Sequence, residues 1–129
     1  MDVDGTLTDG KIYMGNDGEI MKAFDIKDGC GIKDILPTLD IVPVIITART
    51  SKILENRCKE LSINELHQGI RNKFEKLLEI CRTYNVTLKE VAYIGDDILD
   101  LQCMKPIKEA GGVVACPADA VESVKQISD

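Results

Sequence analysis

Two carboxylates stand two positions apart at the start of this chain, in the run Asp-Val-Asp-Gly-Thr at residues 2–6. Alternate side chains of an extended segment share a face, so Asp2 and Asp4 are expected to point the same way, with Gly5 letting the backbone turn behind them. Two carboxylates about 4 Å apart, at an effective dielectric constant of about 20, repel each other by roughly 4 kcal/mol. The pair is therefore expected to bind a cation or to keep a proton.

Polar side chains also follow several of the short apolar runs of the chain. In a parallel α/β sheet the strands end at a common edge, and ligands bind beyond that edge. Together with Asp2 and Asp4, these side chains are expected to form an acidic cluster with one hydroxyl and one ammonium. They are Thr47, Lys73, Asp96, Asp97 and, one helical turn beyond Asp96, Asp100.

Short apolar runs alternate with longer amphipathic ones, which predicts an α/β fold with buried parallel strands. The turn signal Asn16-Asp17-Gly18 between the extended runs 12–14 and 20–24 predicts a β-hairpin. The other predicted strands are residues 41–46, 65–68, 91–94 and 112–116. The predicted helices are residues 31–36, 51–61, 73–84, 99–105 and 120–127.

The composition narrows the class of protein. The 129 residues suit a single domain, 1–129, with one core. Sixteen basic against 22 acidic residues give a formal charge of −6, which argues against a nucleic-acid partner, so an anionic substrate must be attracted by local positive groups. The five cysteines contain no CxxC pair, which indicates a reduced, cytoplasmic protein. Neither a signal segment nor a long apolar run points to secretion or a membrane.

The order and spacing of these residues resemble the four motifs of the haloacid dehalogenase superfamily of phosphohydrolases. Residues 2–6 match the first motif, Thr47 the second, Lys73 the third and the run Gly-Asp-Asp-Ile-Leu-Asp at 95–100 the fourth. A finer resemblance is to the capless sugar-acid phosphatases, most of all to those acting on 3-deoxy-D-manno-octulosonate 8-phosphate. The segments that carry it are Asp9-Gly10, Ile12-Tyr13, Lys22-Ala23-Phe24, Asp28-Gly29, Arg49, Arg57-Cys58, Gln68-Gly69 and Pro117-Ala118-Asp119-Ala120.

The resemblance implies a three-layer, Rossmann-like parallel sheet with helices on both faces, a β-hairpin flap after the first motif and no cap domain. Segments 4–47 and 47–73 leave no room for a lid. A neighbouring subunit is then expected to supply one, in a homotetramer assembled through the hairpin. The family also has a buried strand before the first motif and a glycine-rich tail, so this chain is expected to be trimmed at both ends.

The resemblance also implies catalytic roles. Asp2 would be the nucleophile that forms an aspartyl-phosphate, and Asp4 the acid that protonates the leaving alkoxide and then the base that activates water. Lys73 and Thr47 would neutralise and position the phosphoryl group.

A magnesium ion is implied as the cofactor. Asp2, the backbone carbonyl of Asp4, and Asp96 would hold it, with Asp97 supporting that shell and Asp100 orienting it.

Two arginines are candidates for substrate recognition. Arg49 and Arg57 would grip the carboxylate of a sugar acid, because a guanidinium fork matches its geometry. As an alternative, Arg57 is an exposed helix charge. Arg49 favours the eight-carbon acid of lipopolysaccharide biosynthesis, since relatives acting on nine-carbon sugar-acid 9-phosphates tend to carry an acidic residue at this position.

Each feature also has a structural interpretation. A lone Asp-x-Asp is commonly a solvated turn, a lone Gly-Asp-Asp a helix cap, and His67 a structural residue. The joint occurrence of the motifs favours a site. Two other functions fit the sequence less well. A receiver domain has its acid pair before its phosphoacceptor, unlike the order here, and a phosphomutase normally needs a lid to retain its intermediate. A non-catalytic, phosphatase-like module that assembles a sialic-acid-activating enzyme stays open, although the complete motifs argue against it.

Overall fold

The structure is a computed structural model that describes all 129 residues, and it confirms the predicted α/β class. The strands are β1 (Tyr13–Gly15), β2 (Gly18–Met21), β3 (Val44–Ile46), β4 (Glu65–His67), β5 (Ala92–Ile94) and β6 (Val113–Ala115). The α-helices are α1 (Ile26–Cys30), α2 (Lys52–Glu60), α3 (Lys73–Tyr84), α4 (Leu101–Glu109) and α5 (Glu122–Lys125). A π-helical segment (Gly31–Ile35) and three 3₁₀ segments (Leu36–Leu39, Leu88–Glu90 and Ile98–Asp100) complete the elements.

The parallel sheet consists of two ladders that the first residues of the chain join. β3 pairs with β4 and β5 pairs with β6, both in parallel. Met1 donates to the Val44 carbonyl at 2.8 Å and accepts from the Ile46 N–H at 3.1 Å, while the Asp2 N–H donates to the Ile94 carbonyl at 3.0 Å. Residues 1–2 therefore lie between β3 and β5, so that Asp2 is next to the end of β5.

Side chains of β3 alternate between two apolar cores, one on each face of the sheet. Ile45 packs with Leu54 and Cys58 of α2, on the face that also holds the π-helical segment. Ile46 belongs to the other core, to which α3, α4 and α5 contribute, as with Leu77 of α3. The molecule is thus three-layered, and no cap domain is inserted between its elements.

The predicted β-hairpin is present. β1 and β2 are antiparallel, and Gly15 pairs with Gly18 across the two turn residues Asn16 and Asp17. The second strand ends earlier than the predicted run 20–24, because the chain beyond Met21 is no longer paired with β1.

The first helical segment begins earlier than the predicted helix 31–36. Asp25 caps α1 by accepting from the Lys27 N–H at 2.8 Å, and helical turns of changing pitch continue to Leu39. Asp40 ends them in a left-handed conformation with φ of 53°. The capping carboxylate at Asp25 is the sequence signal for this earlier start.

The strand predicted at 41–46 is shorter, since β3 begins only at Val44. Pro43 has no N–H to donate to a ladder, and Ile41 and Val42 are exposed. Apolar character alone therefore extended the prediction beyond the paired residues.

The remaining helices lie close to their predicted positions. α3 covers the predicted residues 73–84, α4 continues past the predicted end at residue 105, and α5 is shorter than the predicted 120–127. The longest of them, α3, has 12 residues, and none of the helices has both the length and the apolar composition needed to cross a bilayer.

Candidate active site

The ammonium of Lys73 joins three segments at the carboxyl edge of the sheet. Asn72 caps α3 by accepting from the Glu75 N–H at 3.3 Å, which fixes Lys73 in the first turn. Its Nζ lies 2.9 Å from Asp2 Oδ1 and 2.7 Å from Asp100 Oδ1, and the residue is only 1% exposed. Burial alone lowers the pKa of Lys73, but the two carboxylates outweigh it and the net pKa is raised. Lys73 therefore stays charged.

Asp100 is fully buried, and each of its oxygens accepts two hydrogen bonds. Oδ1 accepts from Lys73 and, at 2.9 Å, from the Tyr93 hydroxyl. Oδ2 accepts from the backbone N–H groups of Asp96 at 3.1 Å and Asp97 at 3.2 Å. Burial, followed by the charge of Asp100, raises the pKa of Tyr93, which keeps it a hydroxyl donor. A carboxylate has about four lone-pair positions, so Asp100 supports the site and has none left for a ligand.

The carboxylates with free lone pairs are those of Asp2 and Asp96. Oxygens of Asp2, Asp96 and Asp100 lie within 4.8 Å of one another. Asp96 Oδ1 accepts from the Thr6 hydroxyl at 3.1 Å, while Asp2 Oδ1 faces Lys73, so each side chain keeps one oxygen for a ligand. When all three carboxyls are ionised, the single Lys73 ammonium leaves two negative charges uncompensated. This donor set fits a divalent cation that prefers oxygen ligands.

The crowding of these carboxylates shifts their pKa values. Burial raises the pKa of Asp96 from 3.8 to about 6. The Thr6 hydrogen bond opposes this shift, while the negative charges of Asp2 and Asp100 add to it. Burial also raises the pKa of Asp2, although Lys73 opposes the shift. Without a cation the cluster therefore tends to hold a proton.

Two glycines give the carboxylates of the fourth motif the room they need, Gly5 in the first motif and Gly95 in the fourth. Gly5 has φ of +91°, and a Cβ there would lie 2.0 Å from Asp96 Oδ2. A Cβ on Gly95 would lie 2.4 Å from Asp100 Cγ. Both positions place a carboxylate against bare backbone, which only glycine permits.

The extended segment at the start of the chain ends at Val3, whose carbonyl accepts the N–H groups of residues 6–8 at 2.8–3.1 Å. Asp4 therefore lies at a turn, and its carboxylate pairs with Lys22 and, through Oδ2 at 3.5 Å, with Arg49 Nε. The repelling pair expected within the first motif is thus replaced by the cluster of three carboxylates, and Asp4 is compensated by side chains of the protein.

Thr47 follows β3, as predicted, and is 3% exposed. Its N–H donates to the His67 carbonyl at 3.0 Å and its carbonyl accepts from the Ile70 N–H at 2.9 Å. These bonds fix the backbone, while no hydrogen bond within the chain engages the hydroxyl. The hydroxyl is therefore available to a ligand.

The side chains of Arg57 and Asp97 have other partners. Arg57 lies over the Phe24 ring, 5.5 Å from its centroid, and pairs with Glu60 at 2.9 Å. Asp97 accepts from the Ile98 N–H at 2.5 Å at the start of a 3₁₀ turn. Their functional roles stay predictions.

Sequence reasoning missed three polar side chains of this region. Tyr93 lies within an apolar strand, and the sequence pattern treated it as one more apolar residue although its hydroxyl donates to Asp100. Lys22 was named only as part of a segment that resembles the family, with no role assigned to it. Glu19 was not named. The sequence signal for these residues is a polar group within an apolar run, as at Tyr93, or charged residues next to the apolar residues of the hairpin, as at Glu19 and Lys22.

A parallel sheet with an acidic cluster, a buried lysine and a free threonine hydroxyl at its carboxyl edge, and with no inserted cap, is the arrangement of a capless haloacid dehalogenase phosphatase. No family model matches the chain. Individual proteins do. The chain is 44% identical over 120 residues to the 3-deoxy-D-manno-octulosonate 8-phosphate phosphatase KdsC of Escherichia coli K12, covering 93% of this chain and 61% of that protein.

Solved structures give the same relationship. The cobalt-bound deoxy-D-mannose-octulosonate 8-phosphate phosphatase (YrbI) of Haemophilus influenzae has a TM-score of 0.90 and 37% identity, over 99% of this chain and 72% of that one. The 3-deoxy-D-manno-octulosonate 8-phosphate phosphatase of Moraxella catarrhalis, in complex with a magnesium ion, a phosphate ion and KDO, has a TM-score of 0.86 and 38% identity, over 100% and 71%. With this identity and coverage, the chain belongs to the KdsC-like family of haloacid dehalogenase phosphatases. It spans 61% of the length of the curated relatives it matches.

Replacement of Asp96 by asparagine is expected to stabilise the metal-free protein. The wild-type carboxyl has a pKa of about 6 in the folded state and 3.8 as its reference value, so its ionisation opposes folding increasingly as pH rises between these values. Asp96→Asn removes that ionisation. Allowing for solvent screening at this half-buried site, we expect about 1 kcal/mol of added unfolding free energy above pH 6.

Urea denaturation with EDTA, from pH 3.5 to 8, measures this difference. The gain is expected to fall to zero at the acid end, where the wild-type carboxyl is protonated in both states. Asp40→Asn is the matched control, because Asp40 is exposed and asparagine tolerates its left-handed backbone. A gain that does not change with pH would contradict the assignment.

Proposed function

We propose that this chain hydrolyses a phosphomonoester in a magnesium-dependent reaction, through an aspartyl-phosphate at Asp2. The main support is the buried Lys73 ammonium, which contacts both Asp2 and Asp100, with the Asp96 carboxylate next to them. This arrangement supports Asp2 as a compensated nucleophile beside a cation-binding donor set, the two parts that phosphoryl transfer requires. The phosphatase names of the relatives support the same reaction.

The donor set suits magnesium. Asp2 and Asp96, with the backbone carbonyl of Asp4, would hold the ion, and Asp97 would support that shell. When bound, magnesium neutralises charge on the phosphoryl oxygens and offsets the excess of carboxylates. The Moraxella catarrhalis relative is in complex with a magnesium ion, which supports this choice.

The residues of the chain divide the reaction between them. Asp2 attacks phosphorus in line while Asp4 protonates the departing alkoxide, and Asp4 then takes a proton from the water that hydrolyses the aspartyl-phosphate. Lys73 and the free hydroxyl of Thr47 donate to the phosphoryl oxygens, where preorganised donors stabilise the developing charge. Lys73 also favours the ionised Asp2 that attack requires.

We propose a sugar-acid phosphate as the substrate, specifically 3-deoxy-D-manno-octulosonate 8-phosphate. Arg49 supports this choice. Its side chain is 46% exposed, and its contacts with Asp4 and Glu19 are long, at 3.5 Å and 3.4 Å. Its guanidinium can therefore also bind a substrate carboxylate. Arg57 is a second candidate, and the relative in complex with KDO supports the class.

We also propose a cytoplasmic homotetramer assembled through the hairpin. The hairpin exposes apolar side chains, including Met14 at 60% and Ile20 at 64%. An exposed apolar surface of this kind is typical of a protein interface. All five cysteines are free, which supports a reducing compartment.

Substitution of the nucleophile tests the mechanism. Asp2→Asn keeps the size of the side chain but removes the attacking carboxylate, so magnesium-dependent phosphate release is expected to fall by about 10³-fold or more. Release from a panel of sugar phosphates measures it, with Asp40→Asn as a folded control that keeps the full rate. Turnover that survives Asp2→Asn would exclude the aspartyl-phosphate route, and a wild-type chain without turnover would favour the non-catalytic module.

Substitution of Arg49 tests the substrate class. Loss of a charged hydrogen bond costs about 1.5–3 kcal/mol, so Arg49→Ala is expected to raise KM for sugar-acid phosphates about 10- to 100-fold. KM for glucose 6-phosphate, which has no carboxylate, is expected to stay unchanged. Arg82→Ala, at an exposed position of α3, is the control, and Arg57→Ala measured alongside assigns or removes a role for that residue. An equal rise for both substrates would argue against carboxylate recognition.

A charge placed in the hairpin tests the assembly. Ile20→Glu is expected to convert tetramers to smaller species in sedimentation velocity, because a buried unpaired carboxylate is costly at an apolar interface. Val113→Glu, at a strand position that is 55% exposed outside the hairpin, is expected to leave the tetramer intact. A monomeric wild-type protein with full activity would refute the proposal.

A further inference from the structure

The strands of the hairpin, β1 and β2, contact the rest of the molecule through polar side chains. Its large apolar side chains face outward, with Met14 and Ile20 60% and 64% exposed, so they do not pack on either core. The charged side chains of Glu19 and Lys22 are instead well buried, at 14% and 1% exposed. The contacts that β1 and β2 themselves make with the rest of the molecule are therefore polar, whereas the segment that follows β2 is anchored by the Thr8–Phe24 bridge and by the packing of Phe24 on the core of Ile45.

Glu19 is at the centre of these contacts. Its Oε2 accepts from the Ser51 hydroxyl at 2.5 Å, and its Oε1 lies 3.0 Å from Lys22 Nζ and 3.4 Å from a terminal nitrogen of Arg49. We call these four residues the Glu19 cluster. One hairpin carboxylate thus joins β2, the loop after β3 and the beginning of α2.

Ser51 extends the Glu19 cluster to a third loop. Its hydroxyl caps α2 by accepting from the Leu54 N–H at 3.4 Å while donating to Glu19. Its backbone N–H donates to Gln68 Oε1 at 2.7 Å, in the segment after β4. The loops that follow β3 and β4 are therefore tied to the hairpin through one serine.

Lys22 connects the Glu19 cluster to the reaction. Its ammonium is almost completely buried and contacts both Asp4 and Glu19. A buried ammonium is tolerated only when it is well compensated, so each of the two carboxylates is needed to hold Lys22 in place. Loss of Glu19 would leave Asp4 as its only acidic contact and would remove the acceptor of the Ser51 hydroxyl.

We propose that Glu19 is a positioning residue: it fixes the β1–β2 hairpin against the loop after β3, and through Lys22 it sets the orientation of the Asp4 carboxylate. The effect on catalysis rests on the proposed phosphatase function, whereas the effect on the hairpin does not. Since Asp4 acts in both chemical steps, loss of Glu19 lowers kcat. Arg49 keeps its contact with Asp4 and its exposed guanidinium, so KM changes little.

Two variants and one control test this inference. Glu19→Ala removes all three contacts, whereas Glu19→Gln keeps the shape and an acceptor for Ser51 but loses the charge. Asp17→Ala, at the exposed turn of the same hairpin, removes the same charge and is the matched control. Hydrogen–deuterium exchange of residues 13–24 gives a readout that does not require turnover.

In Glu19→Ala we expect exchange of residues 13–24 to accelerate about tenfold or more, since hydrogen bonds to a charged group are lost. We expect kcat for magnesium-dependent phosphate release to fall about tenfold, with KM within about threefold of wild type. Glu19→Gln is expected to be intermediate and Asp17→Ala unchanged in both measurements. Unchanged exchange in Glu19→Ala, or an effect on KM alone, would overturn the proposal. If the wild type releases no phosphate, the proposed function fails, and the exchange result still decides whether Glu19 holds the hairpin.

Discussion

The buried ammonium of Lys73 between Asp2 and Asp100 is the interaction on which this molecule depends. It joins the first residues of the chain, the start of α3 and the loop after β5 at one edge of the sheet. A single unpaired charge at this depth would cost about 3–5 kcal/mol, so each of the three side chains requires the other two. The fold and the site are therefore stabilised by the same contact.

This contact leaves the site with more negative charge than the protein compensates. Asp100 is saturated by donors and supports the arrangement, whereas Asp2 and Asp96 keep free oxygens and raised pKa values. A carboxylate cluster that is destabilising without a cation is well suited to bind one, which is a common compromise at functional sites. Gly5 allows the first motif to approach Asp96 closely, and Gly95 leaves room for the Asp100 carboxylate within the loop after β5.

Much of the fold could be predicted, because apolar periodicity and capping residues are local signals. α3 was predicted to the residue, and Ser51 and Asn72 mark the starts of α2 and α3 by capping them. The start of β3 could not be predicted from the sequence, since Ile41 and Val42 are apolar but lie outside the paired strand. Strand bounds depend on which neighbour supplies the hydrogen bonds, and a single segment does not contain that information.

The sequence by itself determined the types and order of the side chains in the candidate site: an acid pair, a hydroxyl, a lysine and a second acidic run. Only the tertiary structure decided which of these side chains lie together and which charges compensate one another. Asp2 is grouped with Asp96 and Asp100, while Asp4 is turned toward Lys22 and Arg49. Residue types follow from the chain alone, but ion pairs form between segments far apart in sequence, and burial then fixes which charges must compensate one another.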